Sequence, residues 1–183
     1  AASPTSALGV EYPGLIVNAR RIYSAVPDTQ LVTTTVHEVG HQWFYSTVGN
    51  DQLAEPWLDE SLTQFVTLLY FEETLSPSGA AFFRNQLSQW ASYAAENDIP
   101  LGQPVAAYEN PSFSYGSTIY GHGPLFFTTL REEIGEEAFT TFLQTYYTTH
   151  KYGRATTQSL QTTAETACTC ELDKLFNEWV YGE

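Results

Sequence analysis

His37-Glu38-Val39-Gly40-His41, followed by residues 42 through 59 and then Glu60, is the stretch that decides the fold. On a helix, residues four apart stand one above the other on the same face, so the His37 and His41 imidazoles can reach a single cation. Glu38 lies one step round the helix, close to that cation without occupying a ligand position. A general base for an attacking water belongs there. A catalytic zinc takes three protein ligands and keeps one position open. Residues 42 through 59 are enough to finish one helix, turn and start a second alongside it. Glu60 then falls in the first turn of that second helix, within Trp57-Leu58-Asp59-Glu60-Ser61. An acidic residue there is also favoured by the helix dipole alone; the company of the two histidines makes it the candidate third ligand.

Working outward, Leu8 through Val17 reads as extended chain punctuated by Gly9, Pro13 and Gly14, which suits an edge strand or a cleft-lining segment. Asp28 is a good N-cap for a helix expected to run to Val48 and to close at Gly49-Asn50. The next helix spans about Pro56 to Thr74, with Leu58, Leu62, Phe65, Val66 and Leu69 at helical spacing. Ser76-Pro77-Ser78 breaks it, and a third helix reaches about Glu96. Asn97 to Ser117 holds three prolines and two glycines and reads as a long ordered loop. Helices over Thr118–Ile134, Glu136–His150, Thr156 or Thr157 to Ala167, and Glu171–Val180 complete the chain. The expected fold is mainly α, with residues 1–27 extended and 28–183 a helical lobe, all in one domain. Trp43, Phe44, Phe82, Phe83, Phe126, Phe127 and Phe142 are expected in its core.

These residues resemble the gluzincin zinc aminopeptidases, the peptidases similar to aminopeptidase N. That family pairs H-E-x-x-H with a glutamate after an eighteen-residue gap, in a W-L-N-E-G-like motif. His41-Gln42-Trp43-Phe44 is similar to its H-Q-W-F continuation, while Asp59 and Ser61 depart from its usual pair. The resemblance implies one zinc ion on His37, His41 and Glu60, with Glu38 activating water, in the helical lobe of a thermolysin-like catalytic domain. Tyr120-Gly121-His122-Gly123 looks like the family's tyrosine before a K-G pair, which implies Tyr120 as oxyanion donor, with His122 in place of lysine. Tyr115, five residues earlier, fits the same pattern and is the second tyrosine assigned to the substrate site. Gly9-Val10-Glu11-Tyr12 resembles a divergent G-A-M-E-N motif, which implies Glu11 as anchor for a substrate's free amino group. Leu172 to Gly182 resembles the close of the family's catalytic domain. The implied activity is removal of N-terminal residues from peptides. The alternatives are an endopeptidase without an amine anchor, or a non-catalytic zinc or peptide-binding module.

Composition agrees with a globular protein and narrows its partners. The chain has 183 residues, 43% hydrophobic and 15% aromatic, with a formal net charge of −14. Such a surface repels phosphate backbones, so nucleic acid is excluded as partner, and it favours cationic ligands such as a peptide N-terminus. No apolar run is long enough to cross a bilayer. No leader-like stretch opens the sequence and methionine is absent, so a processed chain, or part of a longer one with further domains, is expected. A polar surface rich in Thr, Ser, Gln and Tyr points to an extracellular setting. His150, at a predicted helix end, suits a cation and has no expected metal role. Cys168-Thr169-Cys170 matches no zinc-ribbon spacing and leaves free thiols, a local bridge or absent partners open.

Overall fold

The computed structural model describes residues 1–3, 7–24, 29–108 and 111–183. The fold is mainly α, with a small sheet at its N-terminal edge. That sheet holds β1 (Ala2–Ser3), β2 (Gly9–Tyr12) and β3 (Leu15–Ala19) in the order β1-β3-β2. β2 and β3 form an antiparallel hairpin with Gly9 opposite Asn18 and Tyr12 opposite Leu15. Pro13-Gly14 makes its turn, and Gly14 sits at φ +75°, a left-handed position that needs glycine's freedom. Gln42 fastens the tip of the hairpin: the Gly14 N–H donates to Gln42 Oε1 at 2.8 Å, and Gln42 Nε2 donates to the Tyr12 carbonyl at 3.2 Å.

Helix α1 covers Thr29–Gly40 and stops eight residues short of the expected end at Val48. The proposed Asp28 cap lies outside the described residues. After Gly40 the chain tightens into turns, and Tyr45 takes φ +118°. Its N–H bonds to the Val48 carbonyl, and Val48–Gly49 (β4) pairs in parallel with Gly153–Arg154 (β5). The apolar residues that mimic a continuing helix, Phe44 and Val48, instead enter the core from the turns after α1 and from β4.

Helix α2, Trp57–Thr74, is the centre of the molecule. Trp57, Leu58, Leu62, Phe65, Leu68 and Phe71 are buried along it, each worth about 1.5–3 kcal/mol against exposure. It packs against α1, α3 (Pro77–Glu96) and α4 (Gly123–Ile134). Ser76 caps α3 through the Gly79 N–H, with Pro77 in its first turn. Helices α5 (Glu136–His150) and α6 (Thr157–Cys168) close the far side, burying Phe139, Phe142, Tyr146, Leu160 and Ala164. Of the aromatics expected in the core, Trp43 and Phe82 are exposed by half or more. Trp57 stacks on Phe127 and meets Phe126 edge-on.

The expected loop ending at Ser117 is shorter than its prolines and glycines suggest. From Pro111 to His122 the chain winds as a π-helix that runs into α4. Packing on α3 accounts for its course. The Ser117 hydroxyl accepts from the Ala94 N–H and donates to the Trp90 carbonyl, inserting itself into the ladder of α3. A Cβ on Gly121 would lie 2.6 Å from the Ala91 nitrogen, so only glycine allows this approach. The expected last helix is likewise split, into α7 (Asp173–Phe176) and a π-turn over Asn177–Tyr181. Cys168 and Cys170 are bridged at the end of α6, around Thr169 at φ +54°. No helix among the described residues is long and apolar enough to cross a membrane.

Candidate metal centre

The last turn of α1 and the first turn of α2 meet side by side, and their side chains converge on one point. His37 Nε2 and His41 Nε2 are 3.1 Å apart; Glu60 Oε2 lies 3.1 Å from the first and 3.3 Å from the second. Ligand atoms about 2 Å from a tetrahedral centre stand roughly 3.3 Å from one another. The triangle therefore has the dimensions of three corners of a zinc tetrahedron.

The opposite ring nitrogens face outward partners. His37 Nδ1 is 2.9 Å from Gln64 Oε1, and His41 Nδ1 is 3.0 Å from the Phe44 carbonyl. Both partners accept, so each Nδ1 donates outward and each Nε2 is the ring nitrogen turned toward the centre, the atom a metal would take. The break after Gly40 thus has a purpose, because it delivers the Phe44 carbonyl to His41. Burial favours a neutral His41, but the hydrogen bond and charge of Glu60 outweigh it and raise its pKa to about 9. Burial pushes Glu60 the other way, yet His37 and His41 hold it well below the usual carboxylate range. Two imidazoles compensated by one carboxylate are a donor set that a dication fits. Among the described residues these three form the cluster able to hold a metal ion.

Glu38 lies beside this triangle with 5% of its surface exposed. Its Oε2 is buried and has no hydrogen-bond partner in the protein, a costly arrangement unless a ligand or water uses it. Its other oxygen faces the backbone of β2, where a Cβ on Gly9 would come within 2.1 Å. Burial raises the Glu38 pKa to about 7; His41 pulls it down, and the charges of Glu11 and Glu60 push it up. A carboxylate with that pKa suits proton transfer near neutrality.

Tyr120, on the π-helical segment, lies beside Glu60, and its ring lies 5.8 Å from that of His37. Burial, then the charge of Glu60, keep its phenol protonated and therefore a donor. The Tyr115 ring meets that of Tyr120 edge-on at 5.9 Å, and its phenol is held protonated by the same two causes. A cavity of about 500 Å³ opens beside both tyrosines, walled by Trp90, Tyr93 and Phe113. Ser61 anchors this segment from α2 by donating to the Ile119 carbonyl at 2.7 Å, and a Cβ on Gly123 would strike its hydroxyl. His122 stacks on Trp179, and burial lowers its pKa. His150, expected as a cation at its helix end, is instead pushed toward the neutral form by burial.

Glu11, on β2, accepts from Gln52 Nε2 at 3.3 Å. The same nitrogen donates to Asp59 Oδ2 at 2.9 Å, and Asn50 Nδ2 donates to Asp59 Oδ1 at 3.0 Å. Asn50, Gln52, Gln64 and the partnered Asp59 are not among the site residues that the sequence points to. The three amides carry no metal or catalytic signal by residue type, and only the meeting of distant segments joins them to Asp59, Glu11 and His37.

A model of the peptidase family M1 domain matches residues 8–179. Aminopeptidase N of Lactobacillus helveticus is 28% identical over 158 residues, covering 82% of this chain and 18% of that protein. Aminopeptidase B of Rattus norvegicus is 29% identical over 133 residues, covering 68% of this chain and 20% of its own length. The chain therefore spans about a fifth of the curated relatives it matches. A variant of an M1 zinc metallopeptidase from Deinococcus radiodurans, solved with a Tyr-Ser-Ala substrate, superposes with TM-score 0.74 at 22% identity, over 99% of this chain and 38% of that one. Yeast LTA4 hydrolase superposes with TM-score 0.75 at 17% identity, over 94% of this chain and 29% of its own. At those identities the superpositions speak to the fold alone. The family model spans the β2–β3 hairpin, the His37–Glu60 triangle and Tyr120 in one match, and the chain belongs to peptidase family M1.

Proposed function

We propose that this chain hydrolyses peptide bonds next to a free N-terminus, with one zinc ion held by His37, His41 and Glu60. The observation that carries the reading is the triangle of donor atoms at 3.1, 3.1 and 3.3 Å, with both outward ring nitrogens bonded to acceptors. When bound, zinc supplies a Lewis acid that polarises the scissile carbonyl and acidifies water. Glu38 takes the proton from the attacking water and returns it to the leaving amine. Its unpartnered Oε2 is the atom free to do so. Tyr120 donates its phenolic hydrogen to the oxyanion, which bears full charge only beyond the ground state. Glu11 accepts the substrate's ammonium group and so sets the first peptide bond over the centre. The aromatic cavity beside Tyr115 and Tyr120 suits a bulky apolar side chain.

Support for the exopeptidase form comes from the aminopeptidase relatives and from the concentration of negative charge at the site, where Glu38 feels Glu11 and Glu60, and Asp59 feels Glu60. A purely structural zinc site has no use for Glu38. An extracellular setting also belongs to this proposal, since the Cys168–Cys170 bridge suits an oxidising compartment. The test compares one peptide with free and with acetylated N-terminus on zinc-loaded protein. Cleavage of the free form, at least tenfold faster, is expected, because an unpaired Glu11 disfavours the blocked form. Equal cleavage of both supports an endopeptidase, and cleavage of neither supports a binding module.

A further inference from the structure

Gln52 joins two carboxylates that would otherwise repel each other. Its single Nε2 carries two hydrogens; one points to Glu11 at 3.3 Å and the other to Asp59 at 2.9 Å. Asp59 is itself immobile: 1% exposed, in the first turn of α2, and fixed through its second oxygen by Asn50. The loop that presents both amides is rigid as well. Asp51 Oδ1 accepts from the Leu53 and Ala54 N–H groups, its carbonyl accepts from Ala54 and Glu55, and the Leu53 carbonyl accepts from Val105. Glu11, by contrast, stands on a short hairpin at the edge of the molecule. Its charge acts on Glu38, and the charges of Asp59 and Glu60 lie close by. Among the described residues, Gln52 is the one whose hydrogen bonds tie the Glu11 side chain to the helix that carries Glu60.

We propose that Gln52 is a positioning residue for N-terminal recognition: through its bridge to Asp59 it holds the Glu11 carboxylate at a set distance from the metal centre, and so selects substrates bearing a free ammonium group. This rests on the reading of Glu11 as the amine anchor. Preorganisation of this kind spares the substrate the cost of ordering the anchor against its acidic neighbours. A bond from a neutral amide leaves the full negative charge on Glu11 available to the ammonium, which a lysine in the same place would cancel.

The experiment measures kcat and KM for one peptide with free and acetylated N-terminus in the parent, Gln52→Leu, Gln52→Asn and Glu11→Ala, and in the double variant Glu11→Ala/Gln52→Leu. Zinc content and thermal midpoint are measured on each protein. Gln52→Asn keeps an amide for Asp59 but is one methylene too short to span both carboxylates, so it carries the test if the leucine variant folds poorly. The expected result is a rise in KM for the free peptide on the order of tenfold in both Gln52 variants, the size of one charge-assisted hydrogen bond, with kcat and zinc content held. The acetylated peptide should be unaffected, and Gln52→Leu should add nothing in the Glu11→Ala background. Unchanged KM in both Gln52 variants, or equal losses on free and acetylated peptides, overturns the positioning role while leaving Glu11 as anchor. A parent that does not distinguish the two peptides overturns the Glu11 reading itself, and this inference with it.

Discussion

Glu38 bears the heaviest chemical demand of any single residue in the site, and its surroundings explain how it meets that demand. Gly9 presses bare backbone against one carboxylate oxygen and leaves the other buried without a partner. Burial and the neighbouring carboxylates raise its pKa to about 7, so it can gain and lose a proton near neutral pH. Glu38→Gln keeps the shape and removes the basicity. It should retain zinc while losing hydrolysis by about 10²- to 10⁴-fold. Metal content by atomic absorption, beside turnover of a free-N-terminus peptide, checks this; loss of metal would move Glu38 into the coordination scaffold. At this scale much of the site is legible in the sequence. His37, Glu38, His41 and Glu60 have residue types and spacing that only a few chemistries use. Gln52, Asn50 and Gln64 have neither. Their roles come from partners 7 to 41 residues away, and an amide in a loop looks the same whether or not it faces a carboxylate.

Elements are legible where punctuation is local. Pro56 opens α2, Ser76-Pro77 opens α3, and Gly135 separates α4 from α5, each as its backbone chemistry requires. The α6 start is the clearest case, a capping box in which Thr156 accepts from the Ser159 N–H and Ser159 from the Thr156 N–H. Thr156→Ala should cost about 1 kcal/mol, because it removes the hydroxyl that accepts from the Ser159 N–H. Urea unfolding checks this: a lower midpoint with unchanged slope is expected, and an unchanged midpoint would deny the cap its weight. Elements are misread where long-range contacts override local pattern. Residues 41–48 have the composition of a helix, yet the Phe44 carbonyl is taken by His41 and Val48 pairs with Gly153. Residues 111–117 look like a loop, yet Ser117 bonds to α3, Gly121 lets the segment approach it closely, and residues 111–122 wind as a π-helix.

Across the whole molecule, the fold serves to hold α1 and α2 at fixed separation. The aromatic core on α2, α4 and α5 fixes α2, and Gly40, whose Cβ would press Thr63 at 2.9 Å, lets α1 approach it closely. The hairpin, clamped by Gln42 at its turn and by Gln52 at Glu11, brings a third wall to the same point. A net charge of −14 surrounds this assembly and favours cationic ligands over polyanions. All of this rests on His37, His41 and Glu60 forming a metal site. The most direct test is anomalous scattering at the zinc edge from crystals of zinc-supplemented protein. One peak is predicted, within about 2.2 Å of His37 Nε2, His41 Nε2 and a Glu60 carboxylate oxygen. No peak there, or a zinc ion coordinated by other residues, would contradict the assignment.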